Sequence, residues 1–326
     1  MKKYYPYVDL LKFICCIGIV CIHTEPFHNM ACISGYFDKL QPAFVAIFFI
    51  VSSALFWKKI RWNHEDTQVL WHFTKRLLIL LSLWGILLSP QWLLKFIRHN
   101  PDNWQILLFP KVLLQGFTQG SWFIVSLLYG IIICYLLNRY LNRHLVFYFC
   151  VLIWLYFSFV HYEGMTDFLN IYCGEDGDGF QFESYCSAIR ALVWIEVGFY
   201  LIPKLVNGLS FINLLLIFAL ALIALVFIDK CYFLLMTIIA IFAPAIAMSI
   251  TSFVNSERLL VLRKMSIIVF FSHFPIITIF HMCYLKGIIP YEYGLIEFLI
   301  TFTIVAIFAY LVISLSKKYH YLRYLY

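Results

Sequence analysis

Charge is what this sequence has least of. Only 13% of its 326 residues are Asp, Glu, Lys or Arg, and ordinary soluble domains carry about 25%. That scarcity excludes an ordinary soluble globular protein. Several chemical signatures are missing as well. There is no GxSxG elbow, no HExxH pair and no P-loop, which removes the hydrolases and nucleotide-binding enzymes those motifs mark. No CxxC pair has metal-ligand spacing, so no metal site is expected. No internal repeat, linker or low-complexity segment divides the chain, so one domain, 1–326, is expected. The basic start Met1-Lys2-Lys3 precedes an apolar run, as in a signal peptide. No small-x-small cleavage site follows, and the run holds Asp9 and Lys12, which argues against one.

What the chain has in abundance is apolar surface. It is 63% hydrophobic and 20% aromatic, with a mean hydropathy of +0.87. This composition predicts an all-α polytopic membrane protein. Ten spans are expected, near 8–24, 41–57, 77–94, 121–137, 145–160, 188–203, 210–228, 232–251, 266–283 and 295–315. The net charge of +7 invites a nucleic-acid reading. The basic residues, however, sit scattered at the ends of apolar segments, the pattern of membrane topology, so no nucleic acid is expected as a partner.

Orientation follows from those same residues. With the N-terminus cytoplasmic, Lys12 lies within a span and seven of the 24 Lys and Arg fall outside the membrane: Lys39, Lys95, Arg98, Lys111, Arg190, Lys230 and Lys286. The other 16 fall inside. The positive-inside bias therefore predicts both termini in the cytoplasm, and a bacterial inner membrane is the expected location. The loop 161–187 then lies outside and is acidic. Its Gly-Glu-Asp-Gly-Asp-Gly run at 174–179 has the look of a calcium loop. With Gly179 as the central glycine, however, Tyr185 stands where a closing carboxylate is required, and a solvated turn is the competing reading. Cys173 and Cys186 in this loop are either a disulfide or two free thiols. The cysteines inside apolar segments, such as Cys15, Cys16 and Cys21, act as small hydrophobes. The stretch 95–120, with Pro101 and Pro110, is expected to be a surface loop.

The first span is unusual. Asp9-Leu-Leu-Lys-Phe-Ile-Cys-Cys-Ile-Gly-Ile-Val-Cys-Ile-His23 carries an acid, a base and an imidazole. Eleven residues are close to three helical turns, so Lys12 and His23 share a face, roughly 16 Å apart along the axis. Ionisable groups in a bilayer face a bundle interior or a wet cavity and mark function by default. The competing reading is a helix anchored by charges at its two interfaces. Glu196 is a second intramembrane carboxylate, either functional or neutral and hydrogen-bonded. His273 lies mid-span before Pro275, as a substrate ligand or a buried structural histidine.

These residues carry a resemblance. A base, ten residues and then a His in the first helix, after a Leu-Asp-like start, is similar to the acyltransferase-3 family of integral membrane O-acyltransferases. The basic position is Lys12 here, where the family has Arg. Phe48-Phe-Ile-Val-Ser-Ser53 resembles the family's second-helix Phe-Phe-x-x-Ser-Gly, with Ser52 as the motif serine and Ser53 in place of the glycine. His72, Lys75 and Arg76 stand at the basic cluster opening the third helix. Trp122-Phe-Ile resembles the start of the fourth. Ser266-Ile-Ile-Val-Phe-Phe-Ser-His-Phe-Pro275 resembles the ninth, with Phe270 where a tyrosine often stands.

The resemblance implies transfer of an acyl group, expected to be acetyl, from an acyl-CoA donor to a hydroxyl of a surface polysaccharide or lipid-linked sugar. No cofactor is expected to stay bound; acetyl-CoA is a substrate. Membrane lipid and a carbohydrate acceptor are the other expected partners. It implies His23 as general base, since an imidazole titrates near neutral pH, with Asp9 beside it in the catalytic set. Lys12, Ser52, Arg76, Trp122, Glu196 and His273 are the expected substrate-binding residues. On residue physics alone, Asp9 and Lys12 either pair or each snorkel to the interface, Arg76 holds a phosphate or serves only as a positive-inside charge, and Trp122 is an interfacial aromatic. The chain stops at Tyr326, so the esterase-like domain of some relatives is not expected. The alternative function is a transporter or flippase. Its inverted repeats would place broken helices in both halves, whereas Pro244 and Pro275 both fall in the second.

Overall fold

The protein is described from a computed structural model. It covers residues 4–326 apart from 64, 100–104, 106, 107, 109–111, 113–115, 117–119, 160–182, 229–231, 252–256 and 291–293. The chain is built from helices, and no strand occurs among the described residues. The reason is solvent: a bilayer offers backbone groups no water, so each helix satisfies its own N–H and C=O. Eight helices are long and apolar enough to cross a membrane, and two shorter apolar ones, Arg143–Tyr156 and Phe211–Phe227, coincide with the fifth and seventh expected spans.

Two compact units arise. One comprises Met1–Val51 and Leu201–Tyr326, the other Ser52–Tyr200. In the first, α1 (Pro6–Thr24) packs on α10 (Tyr232–Ser249), α11 (Glu257–Leu285) and α12 (Leu295–Leu315). The helix α9 (Phe211–Phe227) packs on α10, as does the short α8 (Ile202–Gly208). The second unit holds α3 (Asp66–Leu87), α4 (Ser89–His99), α5 (Ser121–Tyr140), α6 (Arg143–Phe159) and α7 (Glu183–Glu196). Here α5 and α7 form the main packing pair. The helix α2 (Ala31–Trp57) begins in the first unit and ends in the second.

Several boundaries differ from expectation. The second span starts ten residues earlier, at Ala31, because Tyr36 and Lys39 donate to the carbonyls of Leu222 and Leu225 and so hold the polar first turns against α9. The third runs over Asp66–Leu87 rather than 77–94. It stops there because Pro90 cannot continue the hydrogen-bond ladder, and α4 starts afresh at Ser89, turning the start of the stretch 95–120 into helix. The ninth begins at Glu257. The sixth passes through a π-turn, Val197–Leu201, directly after Glu196. The loop 161–182, with its calcium-like run and Cys173, lies outside the described residues, as does the side chain of Cys186. Cys15, Cys16, Cys21, Cys134 and Cys150 are free and buried, as small hydrophobes are.

Glycine permits two close approaches. A Cβ on Gly18 of α1 would stand 2.6 Å from the Phe44 ring of α2, and Gly130 of α5 receives the tip of Ile195 on α7. Small residues let membrane helices approach this closely. Gly18→Ala is expected to force the Phe44 ring aside at a cost of about 1–3 kcal/mol. The check is thermal unfolding of the detergent-solubilised protein. An unchanged melting temperature would show that Phe44 moves freely.

Candidate functional site

The ionisable stripe of α1 meets its partner on α11. Asp9, Cys16 and His23 recur every seven residues, the spacing of a helix-helix seam. Asp9 lies 3.9 Å from the Arg263 guanidinium, the Cys16 thiol donates to the Ser266 carbonyl at 3.3 Å, and the His23 ring stacks on His273. Residue numbers rise together along both helices, so α1 and α11 run parallel. Both are odd-numbered spans, which is the relation the topology requires.

The histidine end is the tighter one. The two imidazole centroids are 5.5 Å apart with planes at 28°. Phe274 touches both rings, at 4.5 Å from His23 and 4.2 Å from His273. His273 is fully buried. Its Nδ1 lies 3.1 Å from the Val269 carbonyl, which can only accept, so Nδ1 carries the proton in the assigned tautomer. That leaves Nε2 as a lone pair, buried without a protein partner. His23 is half-buried. The end of α1 is secured by the Thr24 carbonyl, which accepts the Gly294 N–H at 2.8 Å, and by Glu25 in a left-handed cap with φ 44°. This arrangement sets two imidazoles side by side with aromatic walls. It suits removal of a proton from a hydroxyl.

The other end of the seam is anchored through Asp9. Asp9 is buried, and its carboxylate accepts the Tyr4 hydroxyl at 2.7 Å and faces Arg263. Burial first, and then the bond to Asp9, push the Tyr4 phenol above its ordinary range, so it stays a donor. Lys12 is half-buried one turn further on. Asp9 is 14 residues from His23, roughly 21 Å along the axis, so the two cannot act on one atom. Arg263 was legible only as a topology charge. The signal for its role was its place three residues before Ser266, on the face that also carries Phe270 and His273.

The remaining expected residues belong to the unit Ser52–Tyr200. Ser52 and Trp122 are half-buried, and Arg76 is exposed. Glu196 is fully buried and accepts the Asn138 amide at 2.7 Å, while its Oε1 and the Asn138 Oδ1 have no partner. Asn138 had no sequence signal beyond being polar within a span. A pocket of about 130 Å³ opens past the end of α1, lined by Glu25, His28, Ser34, Asp38 and Gln41 among others. His23 is not among its walls. Among the described residues, no group of His, Cys, Asp and Glu could hold a metal ion.

A family model described as an acyltransferase domain matches residues 5–316 of the chain. No curated protein and no solved structure matches it.

Proposed function

From the fact that this chain belongs to the acyltransferase-3 family and is an integral membrane acyltransferase, we propose that it carries an acyl group, acetyl by preference, from its coenzyme A thioester to a sugar hydroxyl. The acceptor is a surface polysaccharide or a lipid-linked sugar, and the membrane is a bacterial inner membrane with both termini cytoplasmic. The observation that carries this reading is the His23–His273 pair. An alcohol is a poor nucleophile until a base takes its proton. His23, half-buried and so open to a substrate, accepts that proton as the oxygen attacks the thioester carbonyl. The carbon–sulfur bond breaks, and the leaving thiolate takes up a proton to give free coenzyme A. His273, fully buried with Nδ1 committed to Val269, backs the His23 ring and helps fix its placement toward the substrate. Phe274 against both rings limits water.

Lys12, Arg76 and the Asp9–Arg263 pair lie toward the cytoplasmic end of their helices and favour the anionic donor. Ser52, Trp122 and Glu196 contribute to donor and acceptor sites. Membranes containing the protein are expected to acylate glycan from acetyl-CoA, and membranes lacking it are not. Equal acylation by both would remove the assignment of substrate. Within that assay, Lys12→Ala is expected to lower activity at least tenfold by removing a positive charge from the stripe, and Lys12→Arg to retain it. Full activity in Lys12→Ala would make the stripe structural only.

A further inference from the structure

A second built feature lies in the unit Ser52–Tyr200 and has no part in the histidine chemistry. The short turn after α2 presents Trp62 with φ 61°, a left-handed backbone that a bulky residue adopts only under constraint. The constraint is Asp66. Its buried carboxylate accepts the N–H groups on both sides of Trp62, from Arg61 at 2.9 Å and from Asn63 at 3.0 Å. Held this way, the Trp62 ring lies parallel to Tyr135 (6.2 Å, 6°) and to Trp57 (5.8 Å, 15°). Phe199 closes the group, 4.1 Å from Trp57.

Two guanidiniums sit on this floor. Arg143 lies 4.2 Å over Trp62 and 5.7 Å from Phe199. Arg139 donates to the Tyr135 hydroxyl and lies over the same ring. A guanidinium held by its face keeps N–H edges for an anion. Lys58, Lys59 and Arg61 are exposed on the same turn, so the feature is strongly basic. Beneath it, the Trp57 indole N–H is buried with no acceptor. Strain, a dedicated clamp, flat rings, paired forks and an unused donor together fit a ligand that is planar, aromatic and anionic.

We propose that this plate, formed by Trp57, Trp62, Tyr135, Phe199, Arg139 and Arg143, binds a purine nucleotide phosphate, and that in this enzyme it takes the nucleotide end of the acyl donor. The last step rests on the acyl-CoA reading above. The guanidiniums fork the phosphates, and the half-buried rings of Trp62 and Phe199 take the base, backed by the buried Trp57 and Tyr135, since every base has a π-face. In the expected topology Trp57, Tyr135 and Phe199 fall near the cytoplasmic ends of their spans, and Trp62, Arg139 and Arg143 in the cytoplasmic connections beside them.

The test uses the full chain in detergent and adenosine 3′,5′-bisphosphate, which carries no acyl group. Saturable binding with quenching of tryptophan fluorescence is expected. Arg143→Ala and Trp62→Ala should each weaken it by roughly tenfold or more, the loss of one charge-assisted or stacking contact. Arg143→Lys should weaken it too, because the fork is lost while the charge stays. Lys286→Ala should bind as the parent does. Unchanged binding in both Arg143→Ala and Trp62→Ala would overturn the site. So would equal competition by inorganic phosphate, which would mark a mere basic patch, or stronger competition by phosphatidylglycerol vesicles, which would mark a lipid headgroup site. Nucleotide binding without any acyl transfer would keep this site and sink the enzymatic reading. Acyl transfer with an unchanged donor KM in Arg143→Ala would do the reverse.

Discussion

Replacing His23 with alanine is expected to abolish acyl transfer while leaving donor binding largely intact. General-base catalysis by a placed imidazole contributes roughly 10²–10⁴-fold, and the neighbouring imidazole in the seam at that end is His273. His273 is fully buried and already tied at Nδ1 to Val269, so it cannot replace a half-buried partner without moving. On the proposed reading the phosphates of the donor meet cations such as Lys12, roughly 16 Å from His23 along α1. The variant therefore separates chemistry from binding. Turnover with acetyl-CoA and calorimetric binding of coenzyme A, measured on the same preparation, decide the matter. Parallel loss of both would mean that His23→Ala damages the fold. Retained turnover would move the base elsewhere.

The second large effect concerns sides of the membrane. In sealed right-side-out vesicles, donor loaded inside is expected to support acylation of an external acceptor, and donor supplied only outside is not. The physical basis is the charge asymmetry of the expected topology, which puts 16 of the 24 basic residues inside and seven outside. An anionic donor meets the basic face, and His23 stands at the opposite end of the first span. The pantetheine arm then threads the distance between Lys12 and His23. Impermeant labelling fixes the orientation independently. A cysteine introduced near Lys317 is expected to resist labelling on intact cells, and its labelling would invert the topology. Equal rates from external donor would end the cross-membrane route without touching the acyltransferase assignment.

Much of this was legible in the chain because the bilayer is an unforgiving solvent. Long apolar stretches leave few alternatives to a helix, and eight of the helices are long and apolar enough to cross a membrane, so the all-α class was readable. The ends were less so. Residues 31–40 and 66–76 are polar enough to pass for loop, and they are helical because hydrogen bonds such as Lys39 to the Leu225 carbonyl stabilise them. That Asp9 and His23 would face the bundle rather than lipid was likewise plain from their cost in lipid, and they meet Arg263 and His273 there.

Sequence alone therefore determined the class of protein, the family resemblance and the unusual first helix. Each of these depends on composition or on spacing within one segment. Only the tertiary structure decided which charges meet. Asp9 faces Arg263 and Tyr4, His23 stacks on His273, and Asn138 caps Glu196. Those pairs join residues up to 254 positions apart, from Asp9 to Arg263. Their geometry comes from how the helices pack, with α1 and α11 parallel in register and glycines such as Gly18 permitting close approach. A one-dimensional pattern records which face of a helix is special; the neighbour that face meets is set by packing.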